Sequence, residues 1–132
     1  MSEVSYKNLK LVLFIDAILC GILGIGLLFF WESFFQLIDW PFYDPLYGHI
    51  LGATFITYSI LNFIASRQTI WVKMEKIVLA NIIYDGIGAA IMISDFYLYD
   101  LPVFIWTSIG VLIGFLIIYL YYYIPEIKVN ED

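Results

Sequence analysis

The sequence predicts an all-α fold: a bundle of four transmembrane helices with short interfacial segments and with both termini in the cytoplasm. The first observation is composition, since 63% of the 132 residues are hydrophobic, 14% are charged and mean hydropathy is +0.92. These values lie outside the usual range of soluble globular proteins. The second is that the apolar residues form continuous runs, which lack the in-out alternation of membrane β-strands. Helices are therefore predicted.

Four apolar runs define the predicted spans. Each has about 22 to 24 residues, enough to cross a hydrocarbon core of about 30 Å at 1.5 Å per residue. They are residues 9–31, 45–66, 72–94 and 101–124. Because the spans take up most of the chain, we predict one integral membrane domain over residues 1–132. The first span is too long for a signal-peptide core and lacks a small-x-small cleavage site, so we expect it to be retained.

Three aromatic segments flank the spans. Residues 32–44, ESFFQLIDWPFYD, mix aromatic and acidic side chains with a proline, which predicts a short amphipathic segment lying flat at the interface. Residues 95–102, DFYLYDLP, are predicted to form a shorter segment of this kind. Residues 119–126, YLYYYIPE, place four tyrosines at the opposite interface, where Pro125 is expected to end the last helix.

The basic residues set the predicted orientation. All six fall on one side of the four-span topology, and the other two loops contain none. They are Lys7, Lys10, Arg67, Lys73, Lys76 and Lys128. The positive-inside rule then places both termini and the middle loop in the cytoplasm, which predicts a multi-pass protein of the cell membrane.

Small residues recur at four-residue spacing in every span. Lipid offers no hydrophobic drive for helix association, so close backbone approach along such faces is expected to hold the helices together. The pairs are Ala17 with Gly21, Cys20 with Gly24, Gly48 with Gly52, Gly86 with Ala90, and Gly110 with Gly114. One of these faces could also form a homo-oligomer, and the sequence does not choose among them.

Two aspartates fall inside the spans. Asp85 lies near the middle of the third span, in LANIIYDGIGAA, and Asp16 lies in the first span about 6 Å to its cytoplasmic side. A carboxylate at the bilayer centre costs roughly 2.5 to 3.5 kcal/mol, so both should face the bundle interior. All bases lie near the ends of the spans. The aspartates should therefore be protonated, share a proton, bind a cation or accept hydrogen bonds.

Other polar side chains extend this set. Asn81 precedes Asp85 by four residues and so shares its helix face. It falls at about the level of Asp16, and Asn62 on the second span lies somewhat deeper toward the cytoplasmic side. We interpret the two aspartates and two asparagines as lining a site for a proton, a cation or an amine-bearing molecule. The alternative is a set of interhelical hydrogen bonds worth about 0.6 to 2 kcal/mol each. Tyr58 and Tyr84 are added as candidate site residues.

His49 lies near the outer end of the second span, in LYGHILGA. It could accept a proton or bind a ligand, although one histidine without a cysteine or a second histidine favours an interfacial role. Cys20 is the one cysteine, which excludes an intramolecular disulfide. The sequence contains no catalytic triad, phosphate loop, zinc spacing or haem-attachment motif. We expect no enzymatic activity, no cofactor or metal, and no nucleic-acid partner.

Residues 31–66, WESFFQLIDWPFYDPLYGHILGATFITYSILNFIAS, carry a resemblance. Aromatic and acidic residues lead into Asp44 and Pro45, and an ionisable residue precedes Leu-Gly-Ala with Gly52 and Ala53. This pattern resembles small DoxX-like prokaryotic four-helix membrane proteins, which often have arginine near the position of His49. The resemblance implies a four-helix bundle and little about biochemistry.

A second comparison is with small multidrug transporters, which are similar in size and carry an acid in the first span. Asp16 stands where such a transporter would keep its proton-coupling glutamate, but FIDAILCG does not reproduce their alanine-glutamate-threonine pattern.

Three hypotheses for the function follow. The protein binds a lipid-like or amine ligand or a cation; it is a proton-coupled or ion-conducting transporter; or it is a non-catalytic membrane subunit of a larger complex.

Overall fold

The computed structural model describes residues 3–42, 44–99 and 101–130, and the side chains of residues 6–42, 44–99 and 101–126. The described chain consists of four α-helices. They are α1 (Glu3–Leu37), α2 (Pro45–Ser66), α3 (Trp71–Tyr99) and α4 (Phe104–Asn130). All four contain a stretch long and apolar enough to cross a membrane. The predicted helical class and the predicted number of candidate spans are confirmed.

Helix α2 has the predicted bounds, 45–66, and the residues at its start explain why. Asp44 has an extended backbone and caps the helix, because its Oδ1 accepts from the backbone N–H of Leu46 at 2.9 Å and of Tyr47 at 3.5 Å. Pro45 follows at the first helical position. The backbone N–H that proline lacks would have no partner within the helix at this position, so no hydrogen bond is lost. The Asp-Pro pair therefore fixes where α2 begins.

The other helices differ from the predicted spans. Helix α1 runs to Leu37 and α3 to Tyr99, so both helices extend beyond the predicted spans, and the first parts of the segments 32–44 and 95–102 are helical. That these segments lie flat at an interface stays a prediction. Helix α4 begins three residues later than predicted. The backbone of α1 is non-helical at Phe30 (φ −132°, ψ 28°), and this kink separates the last turns from the rest of the helix. These turns stay helical because Phe35, 2% exposed, packs inward.

Helix α1 ends in a Schellman motif. The backbone N–H of Asp39 donates to Gln36 O at 3.2 Å, and that of Trp40 donates to Phe35 O at 2.9 Å. Asp39 adopts φ 52°, the left-handed conformation that this motif requires at the residue after the cap. The rings of Trp40 and Phe35 stack with centroids 6.4 Å apart and supply the apolar contact that accompanies the motif.

Pro125 lies inside α4, so the prediction that it ends this helix was wrong. A proline in a helix removes the hydrogen bond to the carbonyl four residues earlier, here Tyr121. The loss falls in the last two turns, where the predicted interface lies and water can satisfy a carbonyl group.

Residue 100 lies outside the described residues, and Lys128 lies outside those whose side chains are described.

The described chain divides into two compact units. One comprises Lys10–Arg67, which is most of α1 with α2. The other comprises α3 and α4 with the first turns of α1, where the Tyr6 hydroxyl donates to Gln68 O at 3.4 Å. Within it, the rings of Phe96 and Trp106 pack edge to face 5.0 Å apart. The single membrane domain over residues 1–132 stays a prediction.

In the unit Lys10–Arg67, the backbones of α1 and α2 touch where both helices carry glycine. A Cβ atom at Gly24 would lie 2.9 Å from the backbone nitrogen of Ile56. One at Gly52 would lie 2.9 Å from the backbone nitrogen of Leu28 and 3.0 Å from Gly24 O. No larger residue fits without separating the helices, which confirms close approach along two of the small-residue faces.

We expect Gly24→Ala and Gly52→Ala each to destabilise the protein by roughly 1 to 3 kcal/mol, because the added methyl meets backbone that cannot move away. The measurement is unfolding in detergent. Gly110→Ala and Gly114→Ala are the matched controls, since a Cβ at either position meets no described atom within 4 Å. Equal losses in all four variants would contradict the packing described.

The left-handed backbone conformation of Asp39 gives a second prediction. Asp39→Gly should leave stability unchanged or slightly higher, whereas Asp39→Val should lose about 1 to 2 kcal/mol, because a β-branched side chain is strained at positive φ. Thermal unfolding of both variants measures the difference. Ile38→Val, at the neighbouring residue, controls for the change of side chain. If Asp39→Val proved as stable as Asp39→Gly, the left-handed conformation at this position would be excluded.

Candidate functional site

The structure joins Asp16 of α1 to Asn62 of α2. The Asn62 Nδ2 amide donates to Asp16 Oδ2 at 2.9 Å, and Asn62 is completely buried. The Cys20 thiol, one turn further along α1, donates to Asp16 Oδ1 at 3.4 Å. Asp16 itself is half-buried. Asp16 and Asn62, both predicted as site residues, therefore meet although they lie 46 positions apart in the sequence. Each oxygen of the Asp16 carboxylate accepts a hydrogen bond.

A second polar contact between the helices lies beside the first. The Ser59 hydroxyl donates to the backbone carbonyl of Ala17 at 2.7 Å. Ser59 and Asn62 are three residues apart on α2 and so lie on neighbouring parts of one face. Their acceptors on α1, Ala17 and Asp16, are likewise neighbours. Gly21 permits this contact, because a Cβ there would lie only 3.0 Å from Ser59 Oγ. The close helix packing therefore positions the donors.

The two donors that reach Asp16 from Asn62 and Cys20 are neutral. An amide and a thiol orient the oxygens of Asp16 but carry no charge. A charged group in hydrocarbon remains expensive unless it takes a proton or a positively charged partner. The arrangement can therefore accept a proton, or bind an ammonium group or a metal cation, on the oriented oxygens.

Asn81 and Asp85 lie in the other unit, on α3. Both are buried, with exposures of 2% and 7%. They share one stripe of the helix with its buried apolar residues, which are Met74, Val78 and Ala89. The predicted common face of Asn81 and Asp85 is consistent with this spacing. Because the structure describes the two units separately, a site that joins Asp85 to Asp16 stays a prediction.

The other candidate residues are placed as follows. Tyr58 precedes Asn62 by one turn on α2 and is half-buried, as is Tyr84 on α3. His49 is exposed and packs edge to face against Trp31, with ring centroids 6.4 Å apart. It lies 13 residues before Asn62, about 20 Å along α2, so the structure does not bring it to the Asp16–Asn62 pair. Its ligand role stays a prediction.

No metal centre is formed by the described side chains, among which no group of three or more His, Cys, Asp or Glu is placed to hold an ion. One feature of the structure is not predicted by the sequence. Helices α1 and α2 border an open apolar groove of about 410 Å³. It is lined by Phe14, Ala17, Ile18, Gly21, Ile22 and Ile25 on α1 and by Ser59, Ile60 and Phe63 on α2. Apolar residues at helical spacing do not predict such a groove, because every lipid-facing surface has them.

Comparisons of the chain with protein-family models, with curated proteins and with solved structures found no match. The resemblance of residues 31–66 to DoxX-like proteins gains no support from them and stays a prediction. Function is therefore inferred from the geometry of the site alone.

A double-mutant cycle tests the hydrogen bond between the helices. We expect Asn62→Ala and Asp16→Ala to be coupled by about 0.6 to 1.7 kcal/mol in unfolding free energy, the range found for such bonds in membranes. Thr57→Ala combined with Asp16→Ala is the control pair, because the Thr57 hydroxyl donates within its own helix to Ala53 O at 2.9 Å. Additive effects of Asp16 and Asn62 would argue against the contact.

Proposed function

We propose that this chain is a multi-pass protein of the cell membrane, with both termini cytoplasmic, that binds an amine-bearing or lipid-like small molecule or a cation through Asp16. Its four helices are long and apolar enough to cross a membrane. The observation that carries the binding proposal is the carboxylate of Asp16, oriented by the Asn62 amide at 2.9 Å and the Cys20 thiol at 3.4 Å.

Two roles for the pair differ in their energetic cost. If Asp16 and Asn62 served only to join two helices, a pair of neutral amides would make the same hydrogen bond without the cost of a carboxylate, about 2.5 to 3.5 kcal/mol near the bilayer centre. Retaining an acid there is advantageous when its charge or its proton is used. A positively charged ligand recovers that cost on binding, whereas a neutral ligand does not.

The proposed orientation follows from the basic residues at the ends of the spans, which the positive-inside rule places on the cytoplasmic side.

Asp85 is a second buried acid for which the same energetic reasoning holds, and its own variant tests it separately. Transport and a subunit role are the competing hypotheses. Transport would use the same carboxylate, so the experiment includes a flux measurement.

The test uses two probes of the same size and opposite charge, tetraphenylphosphonium and tetraphenylborate. We expect tetraphenylphosphonium to stabilise the purified protein against thermal unfolding, by about 2.7 kcal/mol at a concentration 100 times its Kd. Asp16→Asn should abolish most of this effect, and tetraphenylborate should produce none. Glu32→Gln is the matched control, since it removes an exposed acid elsewhere on α1.

Equal stabilisation of wild type and Asp16→Asn by tetraphenylphosphonium would exclude Asp16 as the binding group. Flux of the probe into proteoliposomes under a pH gradient, lost in Asp16→Asn, would replace binding by transport. Stabilisation lost in Asp85→Asn but kept in Asp16→Asn would move the site to α3.

A further inference from the structure

The groove between α1 and α2 lies apart from the Asp16–Asn62 pair. Asp16 does not line it. Residues two positions apart on a helix do not face each other, so Asp16 points away from the groove residues Phe14 and Ile18. The groove has a floor, made where Gly21 lacks a side chain and Ser59 approaches it, and walls of isoleucine such as Ile22 and Ile60.

The dimensions of the groove match one acyl chain. From Phe14 to Ile25 the rise along α1 is about 16 Å at 1.5 Å per residue, close to half of a hydrocarbon core of about 30 Å. The one hydroxyl on its floor, that of Ser59, already donates to Ala17 O. The lining therefore offers apolar contact along the depth of one leaflet.

One end of the groove is basic. The rings of Phe14 and Phe63 meet there with centroids 6.3 Å apart, and the Arg67 guanidinium lies 5.0 Å from the centroid of the Phe63 ring. Lys10 is one turn before Phe14 on α1, and Arg67 is one turn after Phe63 on α2, so both bases belong to the same end. Arginine and lysine at this position suit a phosphate group.

We propose that this groove binds an anionic phospholipid, with one acyl chain against Gly21 and the isoleucines and with the phosphate at Arg67 and Lys10. The charge at the end of the groove distinguishes this occupant from a neutral lipid or from another apolar helix. In the proposed orientation the basic end faces the cytoplasmic leaflet, which is the leaflet that carries anionic lipids. Lipid binding here does not depend on ligand binding by Asp16.

The test is native mass spectrometry of the protein extracted from vesicles of equal parts phosphatidylglycerol and phosphatidylcholine. We expect wild type to retain one phosphatidylglycerol in preference to phosphatidylcholine. Arg67→Gln should lower that preference about fivefold, and Lys10→Gln with Arg67→Gln by roughly 20- to 30-fold, since each base near the membrane surface contributes about 1 kcal/mol. Lys73→Gln with Lys76→Gln is the matched control, because these exposed bases lie in the other unit.

A second variant tests the apolar part. Ile22 is 65% exposed, so Ile22→Trp should fold normally while filling the groove, and it should lose the retained lipid whatever its headgroup. Ile87→Trp, at a residue 56% exposed on α3, is the control and should keep the lipid. Thermal unfolding of each variant verifies that it is folded.

Three results would overturn the proposal. The first is equal retention of the two lipids by wild type. The second is an equal loss of preference in the Lys73 and Lys76 control, which would indicate diffuse attraction to the membrane surface. The third is a dimer without lipid that Ile22→Trp dissociates, which would make the groove an interface between copies. Asp16→Asn should retain phosphatidylglycerol unchanged, so failure here is distinguishable from failure of the cation-binding proposal.

Discussion

The contact between the backbones of α1 and α2 at Gly24 and Gly52 is the constraint on which the described site depends. A membrane supplies no hydrophobic force to press helices together, so their association relies on close packing and on polar contacts. Glycine at both positions lets α1 and α2 come so close that a Cβ atom at either one would meet the backbone of the other helix. That separation lets short side chains such as Ser59 and Asn62 reach acceptors on α1.

The same approach has different consequences on the two sides of the contact. On one side, Asn62 reaches the carboxylate of Asp16, and the hydrogen bond fixes the orientation of an acid that hydrocarbon disfavours. On the other side, the missing side chain of Gly21 leaves the floor of an apolar groove. A polar position and an apolar groove thus result from one packing arrangement, and their chemistries suit opposite charges: a cation at Asp16, an anionic headgroup at Arg67.

The ends of the helices show how local chemistry fixes a membrane fold at its boundaries. Asp44 and Pro45 start α2 through a side-chain cap and a proline that needs no donor. The end of α1 relies on tertiary packing as well, because the left-handed Asp39 is accompanied by the stacked rings of Phe35 and Trp40. Beyond the kink at Phe30, the Cβ of Trp31 lies 2.8 Å from where a Cβ at Gly48 would stand. Close packing therefore continues beyond the kink.

The sequence by itself determined the helical class, the four apolar segments and the start of α2, because hydropathy, run length and capping are local properties. It also singled out Asp16 and Asn62, since polar residues in apolar runs are conspicuous. It failed at Pro125 and did not predict that α1 continues to Leu37, because an aromatic and acidic composition is compatible with both helix and loop. Only the tertiary structure decided that Asn62 meets Asp16 and that Gly21 opens a groove. Rotation and separation of two helices depend on how their surfaces fit, which no single segment specifies.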